Sequence, residues 1–435
     1  MHTSSHAKSP RPRLRLLTCL ASLASALSLA SCTSATHETP LISPSTEATA
    51  RVHTDPSPTP TPTATASRLS ILAGGDILLH LSVNEAARSG DTYDYTPLFA
   101  GISPWIEGAD LALCGLEVPI VPPGEKPSNY PMFGSPAQIA TSLKTLGWDG
   151  CALATNHSMD RGFAGVTSTL DTLDAAGLGH AGTARTEEES HLITFYTLQA
   201  GGRNVKIAHL SATTLTNGIP IPAKAPFSWN VVGPLGHRSI DDLVADARAA
   251  REAGADLVVL SMHWGTEYVS QPIEEQKDIA AQLAASGAID LVFGNHSHVP
   301  EPVAKIDGGP GDNGMWVVWS MGNMISGQTI ENHGYRVTTG LLTTATVDVP
   351  PEGSAHVSNL EWTAITQDTR TDHLFVLSDL LAGNSSEGMS LTPAQIQARA
   401  DVTYPLMAAD GSVERTTAPT PASTLISVTK EAVRR

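Results

Sequence analysis

The sequence predicts an α/β protein with much parallel strand pairing. Two observations carry this reading. Short apolar runs alternate with amphipathic stretches from residue 69 to beyond residue 320, and apolar run after apolar run ends in a polar cluster. In open α/β sheets the carboxyl ends of the strands are where sites are built. Composition agrees. The chain has 435 residues, 41% of them hydrophobic, enough for one large domain or two modest ones. Aromatics at 5%, with 36 Gly and 30 Pro, suit a loop-rich fold better than an all-helical one.

The elements follow in order. Leu69 to Ala73 reads as a strand running into Gly74-Gly75-Asp76, and Leu111 to Cys114 as another, followed by Glu117. Ser135-Pro136 opens a helix, with a capping Ser and a Pro at the first position, and Gly147 closes it. Cys151 to Ala154 is a brief strand ending at Asn156-His157, and Val166 to Ala176 is an amphipathic helix stopped by Gly177. Val205 to Leu210 is a strand, Ser239 to Glu252 a helix, and Asp256 to Met262 a strand ending at His263. Pro272 to Ser286 is a helix, Ile289 to Phe293 a strand ending just before His296, and Trp316 to Ser320 a strand ending before Gly322-Asn323. Beyond about residue 365 the pattern weakens. The last twenty residues, rich in Thr, Pro and Ala, read as loose.

The N-terminal stretch, 1–31, reads as a leader and not as fold. Lys8, Arg11, Arg13 and Arg15 form a positive region at the head of a run from Leu14 to Ala30 that is apolar but for Thr, Ser, Cys and that one Arg15, and Leu29-Ala30-Ser31-Cys32 resembles a bacterial lipobox. Cys32 is then the expected lipidation site, and the run is shorter than the ~20 residues a spanning helix needs. Residues 32–67, rich in Thr and Pro, form a semi-extended tether. The main domain is expected over 68–365, with a partly disordered C-terminal extension over 366–435. Cys19 leaves with the leader. Cys114 and Cys151 remain in an oxidising compartment, either as a disulfide or as two buried thiols. The formal net charge is −17, and loss of the leader makes it more negative. Such a chain repels phosphate backbones, which excludes nucleic acid as the expected partner.

Five strand-end clusters carry the chemistry: Gly75-Asp76, Leu116-Glu117, Thr155-Asn156-His157, Met262-His263-Trp264-Gly265 and Gly294-Asn295-His296-Ser297-His298. They offer carboxylates, an amide oxygen and imidazoles, a donor mix suited to a borderline divalent ion such as Mn, Fe or Zn. Two ions sharing a bridging carboxylate would use about this many ligands. Each cluster alone is weak, because a strand-end Asp is commonly a turn former and a lone His commonly a core residue. In His-x-His at 296 and 298, alternate residues of an extended segment share a face.

The ordered set resembles the calcineurin-like metallophosphoesterase superfamily, and more narrowly the CapA family of capsule (poly-γ-glutamate) synthesis proteins. The carrying stretches are Gly74-Gly75-Asp76-Ile77-Leu78-Leu79, Leu153-Ala154-Thr155-Asn156-His157-Ser158-Met159-Asp160-Arg161-Gly162, His263-Trp264-Gly265-Thr266-Glu267-Tyr268 and Trp319-Ser320-Met321-Gly322-Asn323-Met324. The resemblance implies a four-layer α/β/β/α sandwich. It also implies that Asp76 and His298 bind a first ion, that Asn156, His263 and His296 bind a second, and that Glu117 bridges them. His157 would protonate the leaving oxygen, work that suits imidazole chemistry. Asn323 would brace the histidine loop, while Glu267 and Tyr268 would shape the pocket, add an oxygen ligand or bond a neighbouring loop. Two departures fall on the first ion. Leu78 stands where the wider superfamily has His, with His80 as a substitute or a turn residue, and the bridging residue is Glu instead of Asp.

The implied function is metal-dependent hydrolysis or transfer at the outer face of the membrane, on a phosphoester or γ-glutamyl-type bond of the cell envelope. The competing readings are a non-catalytic, polymer-binding accessory beside membrane-bound capsule synthesis subunits, and a solute-binding lipoprotein.

Overall fold

The strand Ser67–Leu78 is buried along most of its length, and alternate side chains serve two different cores. Ile71 and Ala73 face a second sheet, whereas Leu72 and Ile77 face a layer of helices. That division recurs across the molecule. The computed structural model describes residues 64–384, 387–408 and 412–433. The leader, Cys32 and all but the end of the tether lie outside the described residues. No described helix is long and apolar enough to cross a membrane.

Among the described residues, a nine-stranded sheet runs in the order His373–Val376, His356–Asp368, Thr339–Val349, Ser67–Leu78, Leu111–Leu116, Gly150–Ala152, Gly179–Ala181. Asn323–Ser326 pairs with the far end of Ser67–Leu78. A seven-stranded sheet runs Val303–Ile306, Met315–Val318, Leu291–Asn295, Leu257–His263, Arg203–Thr213, Leu192–Ala200, Thr424–Ala432. Leu69, Ile71, Leu111 and Leu113 of the first sheet pack on Val205, Ile207, Val259 and Leu291 of the second. On the outer face of the first sheet lie helices Gln138–Thr145 and Gly162–Ala176, through Leu143 and Leu170. On the outer face of the second lie Ile240–Glu252 and Glu274–Ala285, through Leu243 and Leu283. The four-layer α/β/β/α sandwich is therefore what the alternating burial of the strands produces.

The central strands are parallel, as expected: Ser67–Leu78 with Leu111–Leu116, and Leu257–His263 with both neighbours. Parallel pairing places their carboxyl ends on one edge. The Ser239 helix begins as its sequence signals, with Ser239 and Asp242 forming a reciprocal capping box. Ser135 does not cap. Its hydroxyl donates to the Pro119 carbonyl at 3.0 Å, and the helix starts later, at Gln138.

Two regions depart from expectation. The antiparallel strands Thr339–Val349 and His356–Asp368 extend the first sheet, although their Thr-rich composition gives little apolar periodicity. The last twenty residues are not loose throughout. Thr424–Ala432 pairs antiparallel with Leu192–Ala200, so a half-exposed segment is held by backbone bonds to a sheet edge instead of by core burial. Cys114 and Cys151, opposite one another on neighbouring parallel strands, are joined as a disulfide.

Candidate metal centre

Asp76, Glu117, Asn156, His263, His296 and His298 come together at the shared strand edge, all buried. Gly75 makes the close approach possible. A Cβ there would lie 2.0 Å from the Gly322 carbonyl oxygen, which accepts the Asp76 N–H at 2.8 Å. His296 and His298 hold left-handed backbone angles, φ 100° and 60°, which cost non-glycine residues energy and cluster at functional sites.

One group consists of Asp76, Glu117 and His298, whose ligand atoms lie within 4.8 Å of one another. His298 Nδ1 is 3.0 Å from Asn323 Oδ1 and 3.6 Å from Asp76 Oδ2, while its Nε2 is 3.9 Å from Glu117 Oε1. Asn323 thus holds one ring nitrogen and turns the other toward the carboxylate. On the other side, His263 Nε2 is 2.8 Å from Asn156 Oδ1 and 3.8 Å from Glu117 Oε1. The rings of His263 and His296 are 4.9 Å apart. Glu117 therefore stands between the two sets.

The electrostatics call for a cation. Both Glu117 oxygens are buried without a hydrogen-bond partner, as is His296 Nδ1. Burial, then the Asp76 carboxylate, pushes Glu117 well above the usual carboxylate range. Burial pulls His298 down, but Glu117 and Asp76 more than offset it and raise it to about 9. Burial and neighbouring imidazoles hold His263 and His296 well below the ordinary value, in the neutral, ligating form. Close carboxylates, neutral imidazoles and unpartnered buried oxygens are the donor set a divalent ion satisfies. The residues present fit such a group.

His157 lies beside these ligands. Its Nδ1 is 2.7 Å from Asp160 Oδ2, and Phe133 packs edge-on against its ring at 4.9 Å. Asn217, which the sequence reading missed, links two predicted residues. It accepts from Asn156 Nδ2 at 3.1 Å and its own Nδ2 lies 3.4 Å from His157 Nε2. The bond to Nδ2 leaves the Asn156 oxygen facing His263. Asp160 was also without an assigned role, though its spacing three residues after His157 was a usable signal. Nothing around Asn217 marks it beyond a turn-forming Asn-Gly pair.

His80 joins neither ligand group. Its Nδ1 accepts the Gly327 N–H at 3.0 Å, and burial lowers the ring to about 4. Leu78 packs into the apolar core under the helices and supplies no ligand. Glu267 is exposed at the mouth. Tyr268, at φ 64°, stacks on His333 at 4.0 Å. Trp264 is packing, stacked on Trp319 with its indole N–H on the Trp319 carbonyl at 3.0 Å.

An α/β/β/α sandwich with buried carboxylate, amide and imidazole donors at its strand edge defines the class: a domain whose clustered donors could hold a divalent cation. The chain belongs to the family described as bacterial capsule synthesis protein PGA_cap, whose model matches residues 70–328, more than half of the chain. It is 30% identical over 212 residues to a probable polyglutamine synthesis accessory protein of Mycobacterium tuberculosis, covering 46% of this chain and 53% of that protein. It is 26% identical over 239 residues to the capsule biosynthesis protein CapA of Bacillus anthracis, covering 53% and 55%. The match thus spans about half the length of these relatives. The solved calcineurin-like phosphoesterase YfkN from Bacillus subtilis is similar at a TM-score of 0.38 and 14% identity, over 78% of this chain and 97% of that one. That likeness is too distant to bear on function.

Proposed function

We propose that this chain is an exported, Cys32-anchored protein whose strand-edge site acts, with bound divalent metal, on phosphoester-type bonds during capsule or poly-γ-glutamate synthesis, export or anchoring. The observation that carries the metal is Glu117, buried with both oxygens unpartnered between Asp76, His263 and His298. Family membership supports the pathway, and the lipobox-like Leu29-Ala30-Ser31-Cys32 supports the anchor. The partners in this reading are an envelope polymer and membrane-bound synthesis subunits.

Asp76, Glu117 and His298 would hold one ion, and Glu117, Asn156, His263 and His296 the other. A bound divalent ion supplies positive charge that polarises a phosphoryl group and acidifies water. The chain's own residues do the rest. Asp160 holds His157 through Nδ1, and Nε2, exchanging its 3.4 Å contact with Asn217 Nδ2 for the substrate, would carry a proton to the leaving oxygen. Asn323 fixes the His298 ring, and Asn217 fixes the Asn156 amide. The buried walls exclude bulk water, which strengthens each of these interactions.

A non-catalytic accessory role is favoured by one observation: Leu78 lies in the apolar core, so the first ion has fewer ligands than the superfamily pattern provides. One experiment separates the readings. Purified full-length protein, stripped with EDTA and reloaded with Mn²⁺, Fe²⁺ or Zn²⁺, is assayed on bis-p-nitrophenyl phosphate. Metal-dependent turnover is expected. Protein that stays inactive with all three ions overturns the phosphoesterase reading.

A further inference from the structure

We infer that Glu267 is itself a cation ligand, acting with His296 and His298 at the mouth of the site. This rests on the metal-centre reading above and extends it to a residue outside the strand-end ligand set. The ligand atoms of Glu267, His296 and His298 lie within 4.8 Å of one another. Both imidazoles are buried, and His296 Nδ1 has no hydrogen-bond partner among the described residues. Glu267 alone of the three is exposed.

The backbone builds this juxtaposition. The Trp264 N–H donates to the Asn295 carbonyl at 3.1 Å, and the Tyr268 N–H donates to the Ser297 carbonyl at 2.7 Å. The turn carrying Glu267 is thus tied to the histidine loop on both sides. Gly265 and Tyr268 in that turn, and His296 and His298 in the loop, all take left-handed angles. These turns direct one carboxylate and two imidazoles into the same space, and the three non-glycine residues among them, Tyr268, His296 and His298, carry an energetic cost that a surface turn without a ligand has no reason to bear.

The placement also answers a deficit. Leu78 is turned into the core and His80 is engaged by Gly327, so the buried Asp76–Glu117–His298 group has no imidazole from the first strand. Glu267 brings a hard oxygen from the solvent side, next to the same His298. His296 and His298, which the resemblance divides between two ions, come close enough to share one. An ion held partly by an exposed carboxylate exchanges more readily than one held by buried groups alone.

The test uses the EDTA-stripped full-length chain, titrated with Mn²⁺ by calorimetry and by loss of the free-ion electron-spin-resonance signal. Wild type is expected to take up Mn²⁺, and Glu267→Gln to lose one equivalent or to bind it at least ~10–100-fold more weakly, the range seen when a supporting group of a metal site is removed. Glu274→Gln, on a surface helix, is the control and leaves the isotherm unchanged. Because Glu267 is exposed, its variant melts as wild type does. A wild-type isotherm that Glu267→Gln does not alter overturns this inference and leaves the metal centre standing. Wild type that binds none of Mn²⁺, Fe²⁺ or Zn²⁺ overturns both.

Discussion

His157 Nδ1 lies 2.7 Å from Asp160 Oδ2, and that same oxygen accepts the Phe133 N–H at 2.7 Å. The carboxylate is therefore fixed before it fixes the imidazole, and Nε2 is the nitrogen turned away from it, with Asn217 Nδ2 at 3.4 Å, a contact that a substrate's leaving oxygen would replace. This is the arrangement of an oriented general acid.

His157→Ala is expected to lower kcat by ~10²–10⁴ on an ester with a poor leaving group, and far less on a p-nitrophenyl ester, whose leaving group needs no proton. Asp160→Asn is expected to cost less and to distort the pH profile. Kinetics on both ester types check this. An equal loss on both esters would rule out proton donation by His157.

Glu117 makes opposite predictions with and without metal. In EDTA, Glu117→Gln is expected to melt higher than wild type, by the equivalent of about 1–3 kcal/mol, because it replaces a buried carboxyl group whose two oxygens have no hydrogen-bond partner. In saturating Mn²⁺ the order reverses, since wild type alone gains the full binding energy. Thermal melts in both buffers decide it, and an order that does not reverse counts against Glu117 as a ligand.

Asn217 stands at φ 51°, so Asn217→Gly removes its side chain without straining the backbone. The variant frees both the Asn156 amide and His157 Nε2. Metal affinity is expected to fall ~10–100-fold, with little change in stability. Intact affinity by calorimetry would show that the Asn156 amide needs no such anchor.

Glu301 ties stability to pH. It is fully buried, accepts from Gln276 Nε2 at 3.0 Å, and its other oxygen has no partner. Burial raises it from 4.5 to about 7. A carboxyl raised on folding binds more protons in the native state, so this group's contribution to stability is full below pH 4.5 and is lost as pH rises through 7. The loss attributable to this group is of order 3 kcal/mol. Glu301→Gln is expected to flatten that dependence, measured by urea melts between pH 4.5 and 8. Unchanged slopes would exclude Glu301 as their source.

Much of this was legible beforehand, for identifiable reasons. Apolar runs such as Leu257–His263 and Leu291–Asn295 announce buried parallel strands, because both faces must be covered. The clusters that follow them mark the site edge. Thr339–Val349 was not legible, because its Thr-rich face packs where apolar periodicity would be sought. Thr424–Ala432 was not either, since an edge strand is specified by its neighbour's free backbone groups.

The α/β class, the order of the strand-end donors and the residue types able to hold a divalent ion can be read along the chain alone. These rest on local properties: hydrophobic period, turn residues and donor chemistry. That Leu78 faces the core, that His80 is engaged by Gly327, and that Asn217 and Glu267 meet the ligand loops emerges on folding. Those facts depend on where separate loops cross in space, which follows from sheet packing and left-handed turns and leaves no periodic trace along the chain.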